Sequence, residues 1–241
     1  MVTADSGVDA EIVARAACAL RVGQVIAIPT DTVYGLAAAI DQPDAIDRLY
    51  AIKGRPDEKA IPVLISDPEH VLTLTSCLSA TAAHLARTFW PGPLTLVLPG
   101  RQDLPQRVTD VTVDGQRTVA LRVPDNLLAR AIIAAAGGAL AVTSANRSGE
   151  APAVEAREVE RLDSSQPLLV VDGGRAVGGV PSTIVRATGE KPEILREGAI
   201  SASAIAAALV GSEASPGERV GSRYDPRMRE QECCHVPGAT Q

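Results

Sequence analysis

The residues able to do chemistry in this chain are mainly cations and small hydroxyls, gathered in a few short segments. Lysine is scarce: only Lys53, Lys59 and Lys191 occur. Two of them fall within Lys53-Gly54-Arg55-Pro56-Asp57-Glu58-Lys59. Gly54 and Pro56 turn the backbone there, so the cations can converge, and converging cations suit phosphate or carboxylate. A solvated loop, with its cations paired to Asp57 and Glu58, is the plainer reading of this segment alone. A second segment, Pro29-Thr30-Asp31-Thr32-Val33-Tyr34-Gly35-Leu36, follows a run that reads as a buried strand. Short hydroxyls and a carboxylate at a strand end are well placed for a ligand; a turn with a helix cap reads as well. A third, Val142-Thr143-Ser144-Ala145-Asn146-Arg147-Ser148-Gly149, again leads from a strand into groups that hold an anion or cap a turn. The stretch from Gly173-Gly174-Arg175 to Gly178-Gly179-Val180-Pro181-Ser182-Thr183 is glycine-rich but matches neither G-x-G-x-x-G nor a P-loop. Arg122 closes one apolar run and Arg196 follows another.

The sequence carries no paired catalytic acids, and His70, His84 and His235 are scattered. No Ser-His-Asp pattern is legible. Cys233-Cys234-His235 are too consecutive to converge on one ion, so no tightly bound metal is expected. What recurs is Arg, Lys, Ser, Thr and Asn at strand ends. Such groups orient anions and stabilise developing charge. Phosphoryl or nucleotidyl transfer, with a cation from solution, fits them best.

The elements that must position these groups alternate. Helices are expected near Asp9–Arg21, Pro43–Ile52, Pro68–Leu74, Ser79–Phe89, Asn126–Ala136, Glu155–Leu162 and Ser201–Leu209. Strands are expected near Gln24–Ile28, Pro62–Ile65, Leu94–Leu98, Thr118–Val123, Leu140–Thr143 and Leu168–Val171. Ser182–Arg186 and Glu193–Leu195 read as a strand pair, and Arg101–Arg117 as a less regular stretch with local antiparallel pairing. Alternation of this kind specifies an α/β layered domain. Residues 212–241 lose the apolar period and read as a flexible tail.

The chain has 241 residues and a formal charge of −6. Aromatics are only 2%, so the core must be aliphatic, and a base-stacking platform for single-stranded nucleic acid lacks its rings. The acidic balance also opposes broad phosphate-backbone binding. No apolar run approaches about 20 residues, and the acidic start is unlike a secretory signal. A cytoplasmic protein is expected.

Seven segments in register resemble the YrdC/Sua5 family of threonylcarbamoyl-AMP synthases: Pro29–Leu36, Lys53–Ile65, Phe89–Leu98, Ala120–Asn126, Val142–Gly149, Val180–Val185 and Ile194–Gly198. The resemblance spans about residues 9–210, which would form the catalytic domain, with 211–241 as the tail. It implies a twisted mixed α/β sheet flanked by helices, with a large concave cavity. It implies an enzyme joining L-threonine, bicarbonate and ATP into L-threonylcarbamoyladenylate and pyrophosphate. A downstream transferase complex would then modify adenosine 37 of tRNA. By motif, Lys53, Arg55 and Lys59 would be catalytic, the last two gripping ATP phosphates. Thr32, Arg122, Ser144 and Ser182 would hold L-threonine; Thr118, Asn146 and Arg196 would contact ATP. Mg²⁺ would arrive with ATP. Some members place a histidine where Leu64 falls here, and a hydroxyl where Val154 falls. Longer members carry a further domain, so the short single-domain type is expected. The competing readings are a carbamoyl-adenylate-forming relative, a nucleotide-binding relative without synthase activity, and a non-enzymatic RNA-binding or ribosome-assembly factor. Weak RNA binding is compatible with the enzyme as well.

Overall fold

The computed structural model describes residues 2–3, 8–54, 60–112, 115–160, 162, 168–189 and 191–212. Among them eleven strands share one sheet. The strands are β1 (Val2–Thr3), β2 (Ile26–Ile28), β3 (Gly35–Ala39), β4 (Val63–Ile65), β5 (Leu94–Pro99), β6 (Thr109–Val111), β7 (Arg117–Arg122), β8 (Ala139–Ser144), β9 (Leu169–Asp172), β10 (Thr183–Arg186) and β11 (Glu193–Arg196). The helices are α1 (Ala10–Arg21), α2 (Pro43–Lys53), α3 (Val71–Leu74), α4 (Ala80–Phe89), α5 (Leu127–Ala135), α6 (Ala156–Val159) and α7 (Ala202–Ser212).

The sheet runs β1-β9-β2-β3-β8-β4-β7-β5-β10-β11. β4 and β6 share one edge of β7: β4 pairs with its C-terminal end and β6 with its N-terminal end. Pairing is mixed, with β2·β9, β4·β7 and β5·β10 parallel and β2·β3, β3·β8, β4·β8 and β5·β7 antiparallel. The expected mixed α/β sheet is therefore present; the antiparallel pairing expected within Arg101–Arg117 is made by β6 with β7, and so reaches on to Val119.

Helix ends follow their chemistry. The Asp9 carboxylate caps α1 by accepting the backbone N–H of Glu11 at 2.8 Å. The Asn126 side chain caps α5 by accepting from Ala129 at 2.9 Å. Gly54 ends α2 with φ +60°, the left-handed conformation a helix stop needs.

β3 is a strand that apolar alternation does not reveal. Its five residues, Gly-Leu-Ala-Ala-Ala, are all buried, because helices cover both of its faces. Ala37 and Ala39 meet α1 and α5, while Leu36 and Ala38 face the opposite core. With both faces apolar, the period of two vanishes. The helix expected over Glu155–Leu162 is confined to Ala156–Val159.

The sheet is covered unequally. The larger core lies on the face with Leu36, Val63, Leu96, Leu121 and Val185, packed by α2, α3, α4, α6 and α7. On the other face α1 and α5 pack over β9, β2, β3, β8 and β4. Beyond Leu64 that cover stops, and alternate residues of β7, β5, β10 and β11 line an open trough of about 830 Å³. α7 extends just past the expected domain boundary; the rest of the expected tail, with Cys233, Cys234 and His235, lies outside the described residues. No helix among the described residues is long and apolar enough to cross a membrane.

Candidate active site

Arg122 ends β7 on the trough face, and it is buried. Its guanidinium is held at three points. Nε donates to the Gly92 carbonyl at 2.9 Å, Nη1 to Thr32 Oγ1 at 3.0 Å, and Nη2 to Asp31 Oδ1 at 2.5 Å. Burial pulls the Arg122 pKa below its usual range, and the Asp31 charge works the other way. A buried guanidinium without a carboxylate beside it would be costly; Asp31 offsets that cost.

The turn carrying Asp31 and Thr32 is organised by Thr30. Its hydroxyl donates to the Val33 carbonyl at 2.6 Å and accepts the backbone N–H groups of Thr32 and Val33, each at 3.2 Å. It also lies 3.0 Å from Thr32 Oγ1. The glycine-rich stretch lies directly on this turn: Gly178 N–H donates to the Asp31 carbonyl at 3.1 Å and Gly179 N–H to the Thr32 carbonyl at 2.8 Å. A Cβ on Gly178 would stand 2.6 Å from the Asp31 carbonyl oxygen, so only glycine permits this approach. Tyr34 ties the two segments again, its hydroxyl donating to the Gly174 carbonyl at 2.6 Å. Burial, followed by the nearby Asp172 charge, pushes the Tyr34 pKa up to about 12.

On the neighbouring strand β5 and just before β10, Thr95 and Ser182 share a hydroxyl hydrogen bond of 2.8 Å, and both are buried. Arg196, ending β11, donates to the Ser182 carbonyl at 2.8 Å. Its pKa is lowered by burial and by the like charge of Arg122. Among the described residues Arg196 has no carboxylate partner. Thr118 and Ala120, on the same face of β7 as Arg122, line the trough with Val97, Ile184 and Leu195.

A second cluster forms where α2 ends. The buried Lys53 ammonium donates to the Ser144 carbonyl and hydroxyl, each at 2.8 Å, and to Asn146 Oδ1. The Asn146 amide nitrogen donates to the carbonyls of Arg147 and Glu150. Gly35, three residues beyond Thr32, pairs with Ser144 in the sheet, which links this cluster to the Thr30–Thr32 turn.

Thr32, Arg122, Ser182 and Arg196 thus form one cluster, Lys53, Ser144 and Asn146 another, and Thr118 sits in the trough. Arg55 and Lys59 lie outside the described residues. Leu64 pairs with Arg122 in the sheet, but its side chain is buried in the smaller core. The sequence marks Asp31 only as the carboxylate of a segment suited to a ligand, and it gives Thr95 no role. Asp31 lay in a segment already singled out, whereas Thr95 sits among leucines and valine with no local signal.

A family model covering Sua5, YciO and YrdC domains, described as "Telomere recombination", matches residues 18–198. A threonylcarbamoyl-AMP synthase from Bacillus subtilis is 39% identical over 82% of this chain and 56% of its own length. One from Halorhodospira halophila is 35% identical over 77% of this chain and 90% of its own length. The crystal structure of P. abyssi Sua5 complexed with L-threonine superposes with a TM-score of 0.80 at 32% identity, covering 86% of this chain and 60% of that one. The chain therefore spans little more than half of the Bacillus relative, while it accounts for most of the Halorhodospira one. On the strength of a match that contains both residue clusters, the chain belongs to the Sua5/YciO/YrdC family.

Proposed function

We propose that this protein makes L-threonylcarbamoyladenylate and pyrophosphate from L-threonine, bicarbonate and ATP. The observation that carries the reading is the buried Arg122, held against Thr32 at 3.0 Å at the end of β7, the strand whose Thr118 and Ala120 line a trough of about 830 Å³. Such a volume suits a nucleotide-sized ligand. Arg122 binds the amino-acid carboxylate through N–H groups that its protein partners leave over. Thr32, Ser144 and Ser182 orient the amino acid. Thr118, Asn146 and Arg196 contact ATP, and Lys53, Arg55 and Lys59 act at the reacting phosphates, Lys53 through Ser144 and Asn146. The apolar floor of Val97, Ala120 and Ile184 takes the uncharged part of the nucleotide. Mg²⁺ enters as the counter-ion of ATP and so as part of the substrate.

In this reading the threonine amine adds to bicarbonate-derived carbon dioxide and gives a carbamate. A carbamate oxygen attacks the α-phosphorus, the bond to the bridging oxygen breaks, and pyrophosphate leaves with the electron pair. Fixed cations stabilise the charge on the departing phosphates, which is the main contribution a protein makes to such a transfer. The product serves a transferase that modifies adenosine 37 of tRNA. The working unit is residues 9–210, acting in the cytoplasm. The shared name of the relatives favours this reading over an RNA-binding factor.

Pyrophosphate release from ATP tests it. Release should require both L-threonine and bicarbonate, and the adenylate should be found by mass. Arg55→Ala or Lys59→Ala should slow release about 30- to 1000-fold by removing a charge-assisted contact. ATP binding without any threonine-dependent release would overturn the proposal.

A further inference from the structure

Asp31 meets Arg122 through one oxygen only. Oδ1 accepts from Nη2 at 2.5 Å; Oδ2 has no partner among the described residues. That oxygen is not sealed away, since Arg186 Nε is the one described buried side-chain polar atom lacking a partner. The two side chains are 14% and 7% exposed, so both are largely withdrawn from bulk solvent. A guanidinium has five N–H groups. Gly92, Thr32 and Asp31 take one each, leaving one on Nη1 and one on Nη2. The Asp31–Arg122 pair therefore offers two donors beside a free carboxylate oxygen.

The hydroxyls add an acceptor. The Thr30 proton goes to the Val33 carbonyl at 2.6 Å. With that proton spent, Thr30 does not donate to Thr32 across their 3.0 Å contact. With one lone pair on Arg122 and none taken by Thr30, Thr32 Oγ1 keeps a lone pair for a ligand. Arg122 and Asp31 cancel in charge, so the surplus positive charge of the cluster belongs to Arg196. A plain carboxylate would use only the donors. A zwitterion uses the donors and the acceptors together.

We propose that Asp31 is a substrate-reading residue: Oδ2 and Thr32 Oγ1 accept the α-ammonium of the amino acid whose carboxylate Arg122 holds. Asp31 thereby selects α-amino acids over hydroxy acids and fixes the nitrogen that must be carboxylated. The inference rests on the proposed threonine site and adds to it the group that recognises the amine.

Calorimetric binding to the full chain tests the two ideas separately, with L-threonine and with 3-hydroxybutanoate, which keeps the carboxylate and hydroxyl but lacks the amine. The wild-type protein should prefer L-threonine by about 10- to 100-fold, the range for a hydrogen-bonded charge. Asp31→Asn keeps an oxygen for Arg122 and should lose most of that preference, with L-threonine weakened and 3-hydroxybutanoate within about threefold of wild type. Equal weakening of both ligands would mean that Asp31 only holds Arg122, and would overturn the inference while leaving the threonine site standing. A wild-type preference below about threefold would overturn it without any variant. Absence of L-threonine binding to the wild-type protein would overturn the site assignment, and the inference with it.

Discussion

The Lys53 ammonium donates to both the carbonyl and the hydroxyl of Ser144, 91 positions along the chain, at 2.8 Å each. Asn146 Oδ1 takes a further bond, and Ser148 N–H returns one to the Lys53 carbonyl at 2.9 Å. An ammonium has three hydrogens, and among the described residues three acceptors lie against this one. These bonds tie Lys53 to Ser144 and Asn146. Lys53→Met should lower the unfolding free energy by about 2–4 kcal/mol, because buried acceptors lose their donor. It should also weaken ATP binding, as read by denaturant unfolding and calorimetry on the same preparation. Unchanged stability would show that the acceptors find other donors.

Arg122→Lys keeps the charge but loses the planar fork that reaches Gly92, Thr32 and Asp31 together. The KM for L-threonine should rise about 30- to 1000-fold, with ATP affinity within a few-fold of wild type. Steady-state pyrophosphate release at varied threonine and fixed ATP measures this.

Ala120→Phe tests the trough directly. Ala120 lines its floor on the same face of β7 as Arg122. A phenyl ring there takes the space assigned to the nucleotide. ATP binding should fall by at least about tenfold, a loss of roughly 1.4 kcal/mol, while L-threonine binding persists. Equal ATP affinity in the variant would remove the trough from the nucleotide site.

Tyr34 predicts a pH effect. Its folded pKa is raised from 10.0 to about 12, chiefly by burial, so the folded state favours the neutral phenol. The associated stability is present below pH 10 and is lost as pH rises through about 12. Tyr34→Phe should flatten the fall in stability across that window and remove the latest phenolate transition in an absorbance titration. A fall unchanged in the variant would assign it to other groups.

Much of the fold was legible because local patterns survive folding. α1, α2, α4 and α5 show one apolar face each, with caps or glycines at their ends. β3 was not legible, because burial on both faces erases the alternation that marks a strand. The short α6 was overestimated, since periodicity alone does not mark where tertiary contacts end a helix.

The chain alone determined the chemical vocabulary of the site: cations, hydroxyls and amides at strand ends, in segments whose order resembles a family. Those features are local, and side-chain type and spacing express them. The tertiary structure decided which of them meet. Arg122 lies 90 positions from Thr32 and 91 from Asp31, and Thr95 lies 87 from Ser182. Sheet register and crossover loops bring such pairs together. The trough itself exists because α1 and α5 cover only part of one sheet face, leaving β7, β5 and β10 open. No single segment contains that information, since it depends on how helices far apart in sequence pack over a common sheet.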